Sequence, residues 1–160
     1  MRKKSGFTII EVSLVLAIGG LILMMVFIAL PSLQRGQRDA QRREDIISLI
    51  ENIKKYQQNN RGALPSGESG DFTRNNTPGA TGWQDLLNNY LGENFKDPNG
   101  TPYTLKITNF RPDLDETTDN NKILIVKQAT CDGNTVKQAN PRKLAALYEL
   151  EVGGTFCANT

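Results

Sequence analysis

Residues 12–30 constrain the fold most: nineteen consecutive positions carry no charge, and Ser13 is the only clearly polar side chain among them. As an α-helix rising about 1.5 Å per residue, the run is about 28 Å long, close to the thickness of a bilayer's hydrocarbon core. The rest of the chain is polar and rich in Asn, Gly and Asp, so the overall apolar content of 38% conceals an amphiphile. The 160 residues suffice for one domain joined to one apolar rod.

The formal charge of +2 rests on Arg2, Lys3 and Lys4; without them the balance is 16 basic against 17 acidic residues. A basic excess confined to a candidate leader is no argument for a nucleic-acid-binding protein. The chain has no histidine, which excludes Ser-His-Asp and Cys-His catalysis and every His-containing metal site. No phosphate loop or dinucleotide spacing is present, and the chain reads as a non-enzyme without cofactors. Cys131 and Cys157 pair as one disulfide if the domain is exported; the alternative is two buried thiols.

Four regions follow: a leader at 1–6, a transmembrane helix at 7–33, an amphipathic continuation at 34–60 and a globular region at 61–160. In the continuation, Ile46, Ile47, Leu49, Ile50, Ile53 and Tyr56 recur at three- and four-residue spacing and form one apolar face. That face needs a sheet to cover it. Gly62 is the expected breaker, with Pro65 just beyond. Gly19, Gly20 and Pro31 weaken the first half, since an internal proline costs about 3 kcal/mol. A bend or local melting is expected there once the helix leaves the membrane.

Trp83, Leu86, Leu87, Tyr90 and Leu91 have the spacing of a short helix at 83–92. After the turn cluster Asp97-Pro98-Asn99-Gly100-Thr101-Pro102, the segments 103–109 and 122–128 read as strands. The segment 144–152, whose Ala and Leu favour helix, is taken as a third because Gly153-Gly154 follows and the helix face needs a sheet. The expected fold class is α+β: a long N-terminal helix packed by its second half on an antiparallel sheet of about three strands. The acidic stretch with Asp113, Asp115, Glu116 and Asp119 offers oxygen ligands that suit calcium, but it lacks a calcium-loop spacing and reads as a solvated turn. Arg35, Arg38, Arg42 and Arg43 are expected to pair with Asp39, Glu44 and Asp45, or to meet anionic lipid headgroups, rather than to contact nucleic acid directly.

One carboxylate, Glu11, sits at the edge of the apolar run. A charge within a membrane helix costs about 2.5–3.5 kcal/mol even on lenient scales, so Glu11 asks for a partner. A secretory signal would have a shorter apolar core and a small-residue cleavage site, and neither is seen.

The stretch Lys4-Ser5-Gly6-Phe7-Thr8-Ile9-Ile10-Glu11 resembles the class III prepilin signal of type IV pilins and of the pseudopilins of type II secretion and competence systems. The Asp97-Pro98-Asn99-Gly100-Thr101-Pro102-Tyr103 turn is similar to the Asp-Pro-x-Gly-x-Pro-Tyr turn of major pseudopilins. The resemblance implies cleavage between Gly6 and Phe7 by a prepilin peptidase, N-methylation of Phe7, and pairing of Glu11 with the terminal amine of a neighbouring subunit. It further implies extraction from the membrane by an inner-membrane platform with a cytoplasmic ATPase, into a helical homopolymer of pilin subunits. The product would be an extracellular pilus or a periplasmic pseudopilus; a membrane-anchored, non-assembling binding domain is the third reading. Pro31 lies a few residues later than the kink proline of many pilins.

Overall fold

The structure is a computed structural model that describes residues 6–75, 80–112 and 121–160. Helix α1 spans Ile9–Asn59, 51 residues, and passes through Pro31 as helix. The chain divides into two units, Met1–Gln37 and Arg38–Thr160.

The first unit holds the N-terminal part of α1, which is long and apolar enough to cross a membrane. Its large apolar side chains are exposed all round, from Phe7 at 90% to Leu33 at 63%. Such a surface is stable only in lipid or against other apolar helices.

In the second unit α1 buries Asp39, Arg42, Ile46, Leu49, Ile50, Ile53 and Tyr56 as one stripe. Ile47, expected on that face, is instead 46% exposed. At about 100° per residue it falls outside the arc shared by Ile46, Leu49, Ile50 and Ile53. The helix ends in a Schellman turn, in which the Gly62 N–H donates to the Gln57 carbonyl at 2.7 Å. The left-handed position expected of Gly62 begins one residue earlier, because Arg61 already has φ of 55°.

The helix lies on a five-stranded sheet rather than a three-stranded one. The strands are β1 (Gly70–Thr73), β2 (Thr104–Asn109), β3 (Lys122–Lys127), β6 (Leu144–Glu149) and β7 (Thr155–Asn159), in the order β1-β2-β3-β6-β7. β4 (Ala129–Asp132) and β5 (Thr135–Gln138) form a separate hairpin. Three pairings in the large sheet are antiparallel, but β2 and β3 run parallel, against the expectation of an antiparallel order. Twelve residues separate those two strands. A connection of about a dozen residues is long enough for a parallel return.

The sheet is covered on both faces. Leu105, Ile107, Ile123, Ile125, Ala146 and Tyr148 turn toward the α1 stripe, and Leu124, Val126, Ala145 and Leu147 turn toward the β4–β5 hairpin. This explains the unbroken apolar runs of β3 and β6: a strand buried on both faces has no reason to alternate. The Cys131–Cys157 disulfide links β4 to β7 with a Cα–Cα distance of 5.9 Å.

The expected helix at 83–92 is a short α-helical turn, α2 (Gly82–Asp85), followed by a π-helical turn at Leu86–Tyr90. It buries Trp83, Leu86 and Leu87 in the core. Gly82 has φ of 61°, and a Cβ there would stand 1.8 Å from the Ser66 carbonyl oxygen. Only glycine fits that crossing.

Candidate functional site

The N-terminus of α1 is organised by two polar side chains. Thr8 precedes the first helical residue, and its backbone N–H donates to Glu11 Oε2 at 2.8 Å. The Thr8 hydroxyl donates to the same oxygen at 2.9 Å, and the Glu11 N–H donates back to Thr8 Oγ1 at 3.3 Å. This is a reciprocal capping box, which satisfies otherwise orphaned helix N–H groups. Glu11 is therefore not without hydrogen-bond partners, as its position in an apolar run suggested. Its Thr-x-x-Glu spacing to Thr8 is the signal that sequence reading missed. Among the described residues, no donor bonds Glu11 Oε1, so half of the carboxylate stays open. Phe7, directly before the cap, is 90% exposed.

The second cluster lies in the Arg38–Thr160 unit and joins three chain segments. Arg42 Nε donates to Asp97 Oδ2 at 2.7 Å, Nη1 to Asp39 Oδ1 at 3.0 Å and Nη2 to Glu151 Oε1 at 2.8 Å. Arg38 adds a two-pronged bond to Glu151, the shorter arm at 2.6 Å. Asp39 also accepts the backbone N–H groups of Glu151 and Val152, at 3.0 and 2.9 Å. Asp97 takes a further bond from the Tyr148 hydroxyl at 3.2 Å and one from the Asn99 N–H at 2.9 Å, within its own turn. The last residue of that turn motif, Tyr103, donates its hydroxyl to Asp45 at 2.9 Å.

The Asp-Pro-x-Gly-x-Pro-Tyr turn is thus a clasp on the helix: its first residue holds Arg42 and its last holds Asp45, one turn further along α1. Arg42, Asp39 and Asp97 are each at most 4% exposed. Burial alone raises the Asp97 carboxyl, but the hydrogen bonds from Arg42 and Asn99 outweigh it and hold the group below its usual range. Glu151 is held at about 2, first by the Arg38 bond, which together with Arg42 outweighs the opposing effect of burial. Burial and the neighbouring Asp97 push the Tyr148 hydroxyl up to about 12, so it stays a donor. Burial also raises Asp45, despite the bond from Tyr103.

Sequence reading foresaw the pairing of the arginine cluster with Asp39. It did not foresee that the marked turn supplies the main partner, or that Asp45 serves Tyr103. Asp113, Asp115 and Asp119 lie outside the described residues. Among the described residues, no three His, Cys, Asp or Glu side chains come together as metal ligands.

The described residues thus combine an α+β domain with a helix long and apolar enough to cross a membrane, whose first turn is capped by Glu11. Residues 1–27 match the family model of the prokaryotic N-terminal methylation motif. This is the class III prepilin signal of type IV pilins and pseudopilins, and it supports membership of that family without singling out one system. No curated protein and no solved structure matches the chain.

Proposed function

We propose that the chain is a type IV pilin-like structural subunit that polymerises through α1 into an extracellular filament. The carrying observation is the methylation motif placed directly on an apolar helix that has no cover of its own. Prepilin peptidase cuts between Gly6 and Phe7 and methylates the new amine of Phe7. The basic leader is removed while the membrane helix is kept.

Glu11 then meets the Phe7 amine of a neighbouring subunit. The open Oε1 is the acceptor, while the Thr8 cap holds the carboxylate in place. Opposite charges attract strongly in an apolar surround, and an uncompensated one there is costly, so only correctly staggered subunits are accepted. Before assembly the chain waits as a single-pass membrane protein with its domain outside. A platform with a cytoplasmic ATPase extracts it, and helix–helix packing replaces the lipid contacts. The weakness at Gly19, Gly20 and Pro31 lets the helix bend or melt locally in the filament.

The Cys131–Cys157 staple favours a surface pilus because pilins commonly staple their C-terminal region, an oxidising surround being common to both destinations. The Asp97–Tyr103 clasp is the observation that keeps a second reading, a pseudopilin of a secretion or competence system. Electron microscopy of producing cells separates the two: long surface filaments support the pilus, and their absence with a normally processed chain supports the pseudopilus. Glu11→Gln should cut filament yield while the domain still folds with its disulfide. Wild-type yield from that variant contradicts the role given to Glu11.

A further inference from the structure

The outward side of α1 in the Arg38–Thr160 unit carries a row of side chains that the domain does not use. Ile47, Glu51 and Lys55 are exposed, Ile47 to 46%. They succeed one another at four-residue steps, so they lie along one edge of the helix over about 12 Å. Glu51 and Lys55 stand in the orientation that favours an ion pair within a helix, with the glutamate nearer the N-terminus. Yet no ion pair or hydrogen bond joins them, and among the described residues neither has another partner.

The row is complementary to a copy of itself. If two parallel helices are offset by four residues, about 6 Å, Lys55 of one copy faces Glu51 of the next. The offset that brings Glu11 to a neighbour's Phe7 is also four residues, so a single stagger serves both pairs. Ile47 adds an apolar contact beside the charges.

Resting on the filament reading above, we infer that the exposed row Ile47, Glu51, Lys55 is a subunit interface, with Lys55 of one copy paired to Glu51 of a second, parallel copy. The polymer then has its register set twice: by Glu11 in the apolar part of the helix and by the Glu51–Lys55 pair in the polar part. The second pair is exposed to solvent, so it selects register more than it adds strength, and it weakens with salt.

Charge reversal in the full chain tests this, with sheared filament yield measured in cells that make no wild-type copy and compared with cells that make the wild type only. Glu51→Lys alone and Lys55→Glu alone each place like charges opposite one another, and each should lower yield about fivefold. Co-expression of the two single variants should restore it, because each then meets an opposite charge on the other. A purely intrachain role cannot be rescued that way. Single variants at wild-type yield, or a mixture no better than either alone, overturn the interface. If the wild type makes no filaments while its chain is processed and exported, the filament reading itself fails.

Discussion

Arg42 and Asp97 are 55 positions apart in sequence, and their side chains meet at 2.7 Å inside the domain. The bond ties the helix that leads to the anchor to a turn between the π-helical segment and β2. Both groups are almost fully buried, so neither can turn to water if the other is removed. Asp97→Ala should lower the unfolding free energy by about 3–5 kcal/mol, as expected when half of a buried pair is lost. Urea unfolding of the detergent-solubilised chain, with the disulfide intact, measures this. A loss below about 1 kcal/mol would put the pair in the class of exposed, dispensable bridges.

Glu151 gives the clasp a pH dependence. Its carboxyl is lowered from 4.5 to about 2 in the folded chain, chiefly by Arg38 and then by Arg42. A carboxyl depressed by folding stabilises the native state above its unfolded value, and that contribution fades as the pH falls through the folded one. Stability should therefore drop between pH 4.5 and about 2. Glu151→Gln should flatten the slope in that window and leave the curve near pH 8 parallel to wild type. An unchanged slope in the variant contradicts the assignment.

Reduction should expose how much the small domain depends on its staple. The Cys131–Cys157 bridge spans a sequence separation of 26, for which loop entropy gives about 3.5 kcal/mol. The paired Cys131→Ala and Cys157→Ala variant should unfold at correspondingly lower urea concentration. Its helix content should stay close to wild type, because the core under α1 does not include the bridge.

Gly82→Ala should be far more harmful than an ordinary surface change. The new methyl group would overlap the Ser66 carbonyl oxygen on a backbone that L-residues rarely adopt. Displacement of buried Trp83, read as a change in its fluorescence on native chain, is the expected outcome. Gly133→Ala, with a similar φ but open space around it, separates the cost of the clash from that of the backbone.

The fold was legible where periodicity is strong. The apolar run, the stripe from Ile46 to Tyr56 and β2 follow from side-chain spacing, β3 from its β-branched run, and β6 only from the need of the helix face for a sheet. β1 was hidden because four mostly exposed residues at a sheet edge leave little pattern. The β4–β5 hairpin did have a signal: Gly133 opens its two-residue loop at φ 65°, the position that such tight turns reserve for glycine. Strand direction was not legible, since the parallel pairing of β2 with β3 depends on how the connection returns rather than on either strand. At the N-terminus the chemistry of Glu11 could be read, but its capping bond to Thr8 was overlooked. The clasp was half visible: the turn containing Asp97 stood out as a motif, whereas its grip on Arg42 is a tertiary contact that no spacing encodes.

Assembly through α1 depends first on the helix being freed of its leader between Gly6 and Phe7. The most direct measurement is the N-terminal sequence and mass of the chain recovered from sheared surface filaments. It should begin at an N-methylated Phe7 and lack residues 1–6. A filament chain that retains Met1, or that begins elsewhere in the apolar run, contradicts processing at Gly6–Phe7 and the pilin-like assembly built on it.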